Sequence, residues 1–172
     1  MQQHGGIENL LKEGVIDGAA KTYERLGIIV DSDGDVQARW QQVAHRLAKV
    51  GITVPDRSAS GGVVVPGAKA NSKVGVWLMP DNISPGALEI FLQALVKPGD
   101  PLWPIADVST TNAGNTDRRF AANDGMKARL HTWLAWQPNP DAGIGPAIDK
   151  GFLDPMSSAA DTFVGWFEQT FA

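Results

Sequence analysis

Asp31 and Asp33 stand two residues apart where the apolar run Leu26-Gly27-Ile28-Ile29-Val30 ends, and Asp35 follows Gly34. In an extended chain, residues two apart point to the same side. If strand geometry runs on through Asp33, two carboxylates converge at the end of a strand and repel each other. A hard divalent cation such as Mg²⁺, or Mn²⁺ in its place, relieves that repulsion because it takes oxygen ligands. The plainer reading is a polar strand-to-helix turn in which Asp35 is the N-cap. A calcium loop of the EF-hand kind is excluded. Counted from Asp31 it needs glycine sixth and glutamate twelfth, and those places hold Val36 and Gln42.

The elements around the turn follow from hydrophobic spacing. Gly27 to Val30 reads as a short strand apolar on both faces, as in a covered parallel sheet. Val36, Trp40, Val43, Leu47 and Val50 recur at helical spacing, and Gly51 supplies a helix stop. The carboxylates therefore fall at the C-terminal edge of a strand, where open α/β sheets bind ligands. Upstream, Ile7 to Leu26 reads as one or two short helices broken near Gly14 and Gly18. Downstream, Ile52–Val54, Gly62–Val65 and Val74–Met79 are strand candidates, the last closed by Pro80-Asp81-Asn82. Pro85 suits the first turn of a helix carrying Leu88, Phe91, Leu92 and Leu95. Lys97-Pro98-Gly99-Asp100-Pro101 breaks it, and the Thr/Asn/Gly-rich stretch Ser109 to Asp117 reads as loop. Two helices close the chain, about Asn123–Trp136 and Ser158–Phe171.

Composition narrows the class. At 172 residues, 43% hydrophobic and 20% charged, the chain is an ordinary globular sequence and most economically one domain. With no cysteine, disulfides, zinc–thiolate sites and thiol catalysis are excluded, which fits a cytoplasmic protein. No apolar stretch approaches membrane-spanning length, and the first six residues lack a signal-peptide layout. A net charge of −4 gives no bulk attraction for nucleic acid, so such binding would need a local patch. Arg118, Arg119, Lys127 and Arg129 are the one local basic cluster. The six tryptophans read mainly as core, and His131, between Leu130 and Trp133, as a hydrogen-bonded structural histidine.

Gly5-Gly6-Ile7-Glu8-Asn9-Leu10 followed by Gly27-Ile28-Ile29-Val30-Asp31-Ser32-Asp33 resembles the second half of a Toprim domain. The blocks Val74 to Asn82, Pro85 to Glu89 and Lys127 to Trp136 are similar to an uncharacterised prokaryotic Toprim-like family related to the overcoming-lysogenization-defect nucleases. The resemblance covers nearly the whole chain. It implies an α/β fold, a Rossmann-like, mostly parallel sheet flanked by helices, as a single domain over residues 1–172 with a helical C-terminal part from about residue 120. It also implies Mg²⁺-dependent phosphodiester hydrolysis, with Asp31, Asp33 and Glu89 as metal ligands and Lys127 stabilising charge on the phosphate. The family's opening strand, which ends in a glutamate, has no counterpart here. Glu8, Glu13 and Glu24 do not follow a strand. A sheet without that strand has an open edge for a second copy or a protein partner to cover.

Two other functions stand beside the nuclease. A catalytically incomplete binding or regulatory module of the same fold accommodates the missing glutamate. The apolar strand followed by Asp-x-Asp-Gly also looks like the first motif of haloacid-dehalogenase-type phosphatases. There a threonine normally follows the glycine, and here Asp35 does.

Overall fold

A computed structural model of the chain describes residues 7–12, 14–141 and 143–172. His4, Glu13 and the Gly5-Gly6 block lie outside the described residues. The chain forms two compact units, one of residues up to Leu88 together with Asp161–Ala172, the other Glu89–Ala160. The helices are α1 (Ile7–Leu10), α2 (Val15–Thr22), α3 (Val36–Ala48), α4 (Leu88–Gln93), α5 (Trp103–Asp117), α6 (Gly125–Ala135), α7 (Gly145–Asp149) and α8 (Ser158–Phe171). The strands are β1 (Arg25–Asp31), β2 (Val63–Pro66) and β3 (Lys73–Met79).

The first unit is built on one three-stranded sheet of order β1-β3-β2. β1 and β3 run parallel, in register from Arg25 opposite Lys73 to Asp31 opposite Met79. β2 runs antiparallel to β3, with Val63 opposite Val76. The protein is thus α/β, with a small mixed sheet flanked by helices. The second pairing departs from the expected mostly parallel sheet because β2 reaches β3 through a short turn rather than a helical crossover. Ile52–Val54, expected as a strand, is extended chain without a ladder partner; Ile52 instead closes α3 through its N–H on the Leu47 carbonyl (3.1 Å).

Alternation along the strands gives the sheet two different faces. Ile28, Val30, Val63, Val74, Val76 and Leu78 form a core with Ile16 and Ala20 of α2 and Trp40, Val43 and Leu47 of α3. The opposite face carries Gly27, Gly75 and Trp77 and receives the last turns of α8. Trp77 meets Phe163 edge-on at 5.1 Å and Trp166 at 5.7 Å. The two strand glycines let this helix lie close. A Cβ on Gly27 would come 3.0 Å from Phe171 Cζ, and one on Gly75 would overlap the Thr170 side chain.

In the second unit α5 packs on α6, and Trp103 meets Trp133 at 6.0 Å. Ser109 to Asp117, expected as loop, is the C-terminal part of α5. Asp100 starts that helix by accepting the Leu102 and Trp103 N–H groups, both at 2.9 Å, and Pro104 lies in its first turn. Thr110 is buried against Thr132 of α6. Those partners outweigh the weak helix preference of threonine and asparagine. Pro85, expected in a helix, precedes α4 in a loop. Among the tryptophans, Trp40, Trp77, Trp133 and Trp166 are buried and Trp136 is exposed. His131 is exposed rather than structural. Among the described residues, no helix is long and apolar enough to cross a membrane.

Candidate metal and phosphate site at the β1 edge

β1 ends at Asp31, and strand geometry does not continue to Asp33. Asp33 takes a left-handed backbone (φ 53°), which aspartate tolerates better than most residues. The premise that placed the two carboxylates on one side therefore fails. Ser32, between them, is buried. Its N–H donates to the Met79 carbonyl (3.1 Å), and its hydroxyl accepts the Gly86 N–H (2.9 Å) and lies 3.0 Å from the Ser84 carbonyl. The Asp33 N–H donates to the Gly86 carbonyl at 2.9 Å. The turn after β1 and the loop after β3 are thereby tied into one rim.

Each acid of the turn has a partner. Asp31 Oδ1 accepts the Leu88 N–H at 3.1 Å. Asp33 Oδ2 accepts from Arg39 Nη2 in an ion pair. Asp35 Oδ1 accepts the Ala38 N–H at 2.9 Å, so it is the N-cap of α3 as the plainer reading expected. Arg39 had not stood out in the sequence. Long helix side chains lean toward the N-terminus, which carries its guanidinium from α3 back to the turn. Its side chain is 12% exposed, while that of Asp33 is 60% exposed. Nη1 of Arg39 is held by Gln42 Oε1 (2.8 Å), and buried Nε has no hydrogen-bond partner.

Asp81, on the adjoining loop, is committed to that loop. Oδ1 accepts the Ile83 and Ser84 N–H groups at 3.0 and 2.6 Å, and Oδ2 accepts the Ser84 hydroxyl at 2.7 Å. Burial pushes its pKa up, but the Ser84 hydroxyl and these N–H groups outweigh burial and hold the carboxyl below its ordinary value.

Glu89 and Lys127 belong to the second unit, where they face each other at 3.7 Å. Of the basic cluster there, Arg119 pairs with Asp117 (2.9 Å) and Arg129 with Asp107 (2.6 Å). Arg118 has no ion pair among the described residues, and with Arg129, Asn115, Thr111 and Phe120 it lines a cavity of about 190 Å³.

The donor chemistry of the turn fits Mg²⁺, which commonly takes one or two carboxylates and completes its shell with water and phosphate oxygens. Asp31 and Asp33 are both exposed hard-oxygen donors, and Asp33 is held by Arg39. Among the described residues, no three His, Cys, Asp or Glu side chains are grouped to hold a metal by themselves.

No curated protein and no solved structure matches the chain. All of residues 1–172 match the model of one family, described as "Protein of unknown function (DUF3226)". The chain, with its mixed sheet and acidic rim, belongs to the DUF3226 family.

Proposed function

We propose that the protein is a Toprim-like module that uses Asp31 and Asp33 to hold Mg²⁺ or Mn²⁺ against a phosphate-bearing partner, with phosphodiester hydrolysis as its chemistry. The observation that carries this reading is the placement of two exposed carboxylates, one on the last residue of β1 and one on the turn that follows, beside the parallel strand β3. Ligands of open α/β sheets collect at that edge. The parallel pair β1/β3 with α3 in its connection also supports a Rossmann-like, Toprim-like classification of the first unit.

When bound, the metal supplies positive charge to a phosphate oxygen. The chain's own residues do the positioning. The Leu88 N–H orients Asp31, and the Ser32 hydroxyl braces the rim against Gly86. Arg39, released from Asp33, offers its guanidinium to phosphate. The partner class is nucleic acid, which a chain of net negative charge would have to reach through a local basic patch.

A second reading is a binding or regulatory module of the same fold without catalysis. The Arg39–Asp33 pair favours it, because it supplies inside the fold the positive charge a metal would bring. Calorimetric titration of Mg²⁺ and Mn²⁺ into the chain, beside an Asp31→Ala/Asp33→Ala variant, separates the two. Binding that disappears in a folded variant supports the metal site and leads to cleavage assays on single- and double-stranded substrates. Absence of binding to the unaltered chain overturns the metal reading and leaves the regulatory one.

A further inference from the structure

Two polar contacts tie α5 to α6 in the second unit. The hydroxyls of Thr110 and Thr132 lie 3.3 Å apart, and Arg129 Nη2 meets Asp107 Oδ1 at 2.6 Å. The cavity of about 190 Å³ lies between the C-terminal half of α5, the start of α6 and the chain that joins them. Glycines keep it open. A Cβ on Gly125, the first residue of α6, would meet open space. The Phe120 ring lies over Gly114, with Cζ 3.5 Å from where a Cβ would stand.

The wall of this cavity holds polar groups that the fold does not use. Asp107, Thr111, Asn115 and Arg118 follow at helical spacing, one stripe along α5 to its C-cap. Asp107 is taken by Arg129. The side chains of Thr111, Asn115 and Arg118 make no hydrogen bond or ion pair among the described residues. Arg129 is only 24% exposed and spends Nη2 on Asp107, while its buried Nε has no partner. A guanidinium carries five donors, so one carboxylate oxygen satisfies little of it. Among the described residues no carboxylate lines the cavity. It thus gathers two positive charges and two neutral polar groups that the chain's own acceptors leave unused.

We propose that this cavity binds the phosphate of a small organic phosphomonoester. A carboxylate has two oxygens, which a single guanidinium fork fills. A phosphomonoester has three terminal oxygens and nearly two charges, enough for Arg118 and Arg129 with Thr111 and Asn115 besides. Phe120 and Ala122 give apolar surface for the carbon atoms that carry the phosphate. Size sets the limit. Pockets for drug-sized ligands begin at about 300 Å³, so this smaller cavity suits a phosphate on a short carbon body rather than a nucleotide. The site lies wholly within the second unit and does not rest on the metal reading.

The test is calorimetric titration of glycerol 3-phosphate into the full chain in phosphate-free buffer, with inorganic phosphate and a short single-stranded DNA as parallel probes. Saturable binding of glycerol 3-phosphate is expected, tighter than that of inorganic phosphate because the carbon body adds contact. Arg118→Gln should weaken it at least about tenfold, as loss of a hydrogen bond to a charged group does. Gly125→Leu keeps both arginines but fills the cavity, and should weaken binding by about the same factor. Its backbone is ordinary helix (φ −57°), which leucine adopts. If circular dichroism shows that variant unfolded, Thr111→Leu, at an exposed position of α5, obstructs the cavity from the other helix. Full binding in the folded cavity-filling variants would mean surface charge rather than a pocket, and would overturn the proposal. So would the absence of saturable binding, equal affinity for inorganic phosphate, or Arg118-dependent binding of DNA without binding of glycerol 3-phosphate.

Discussion

Arg39 reaches from α3 to Asp33 across the turn that ends β1, so the acidic rim carries its own counter-ion. A metal held by Asp33 must displace this guanidinium, whose stem is buried and whose Nε already lacks a partner. Arg39→Gln keeps the length of the stem and removes the charge. It is expected to raise Mg²⁺ affinity by about fivefold, the equivalent of ~1 kcal/mol for an ion pair with one exposed member. Titration calorimetry on the folded variant reads this directly. Equal affinity in the two proteins would show that Arg39 and the metal do not compete for Asp33.

Asp81 predicts an acid-sensitive rim. Its folded pKa lies below the ordinary 3.8, because the Ser84 hydroxyl and two backbone N–H groups favour the charged form over the cost of burial. The sign follows from linkage: the group contributes stability that is present above the unfolded value and lost as pH falls through the folded one. Urea unfolding from neutral pH to below 3.8 should show that loss. Asp81→Asn should begin about 1 kcal/mol less stable at neutral pH, since its amide nitrogen cannot accept the Ser84 hydroxyl. It should then show a flatter acid limb. An acid limb as steep as that of the unaltered chain would place the titrating group elsewhere.

Strand ends and amphipathic helices were legible in the sequence because they depend on local spacing. The strand before the acidic turn (expected as Gly27–Val30, found as Arg25–Asp31), Asp35 as the α3 N-cap and Ser158–Phe171 as the last helix all have signals within a few residues. The left-handed turn at Asp33 was not legible, because Asp-x-Asp spacing reads the same whether the strand continues or stops. The Arg39 pair was missed for a related reason. It joins the strand turn to the next helix, and hydrophobic periodicity carries no information about a polar residue. Helix α5 was hidden in a Thr/Asn-rich stretch whose helical state depends on Asp100, Thr132 and Arg129, all distant in sequence or on another element. The direction of β2 depends on how the chain returns to β3, which strand composition does not encode.

Asn82 does for β3 what β2 is too short to do. Beyond the β2 ladder, its side-chain Oδ1 accepts the Leu78 N–H (2.7 Å) and its own N–H donates to the Leu78 carbonyl (2.8 Å). It is fully buried and sits at φ 70°. Asn82→Ala removes the acceptor and adds a backbone penalty, and should cost about 2–4 kcal/mol. Asn82→Gly relieves the backbone part and leaves the Leu78 N–H unpartnered, so it should cost about 1–3 kcal/mol. Denaturant midpoints of the two variants separate the contributions. Equal losses would mean that the left-handed conformation carries no strain here.

Gly75 and Thr170 face each other where α8 crosses the sheet, and any Cβ on Gly75 would overlap the Thr170 side chain. Thr170 is itself buried, with its hydroxyl donating to the Trp166 carbonyl at 2.9 Å. The helix therefore cannot simply rotate the threonine away. Lifting the helix instead would loosen the contacts of Trp166 and Phe163 with Trp77. Gly75→Ala should thus cost about 1–3 kcal/mol, the usual range for overpacking. Thr170→Ala should cost less, because its lost bond lies within the helix and its backbone stays paired. Combined, the two changes should be more stable than the sum of the single losses predicts, since removing the threonine makes room for the new methyl group. A double-mutant cycle from urea unfolding measures this coupling, with a rescue of about 1 kcal/mol expected for residues in contact. Strict additivity would mean that α8 does not rest on the sheet through this contact.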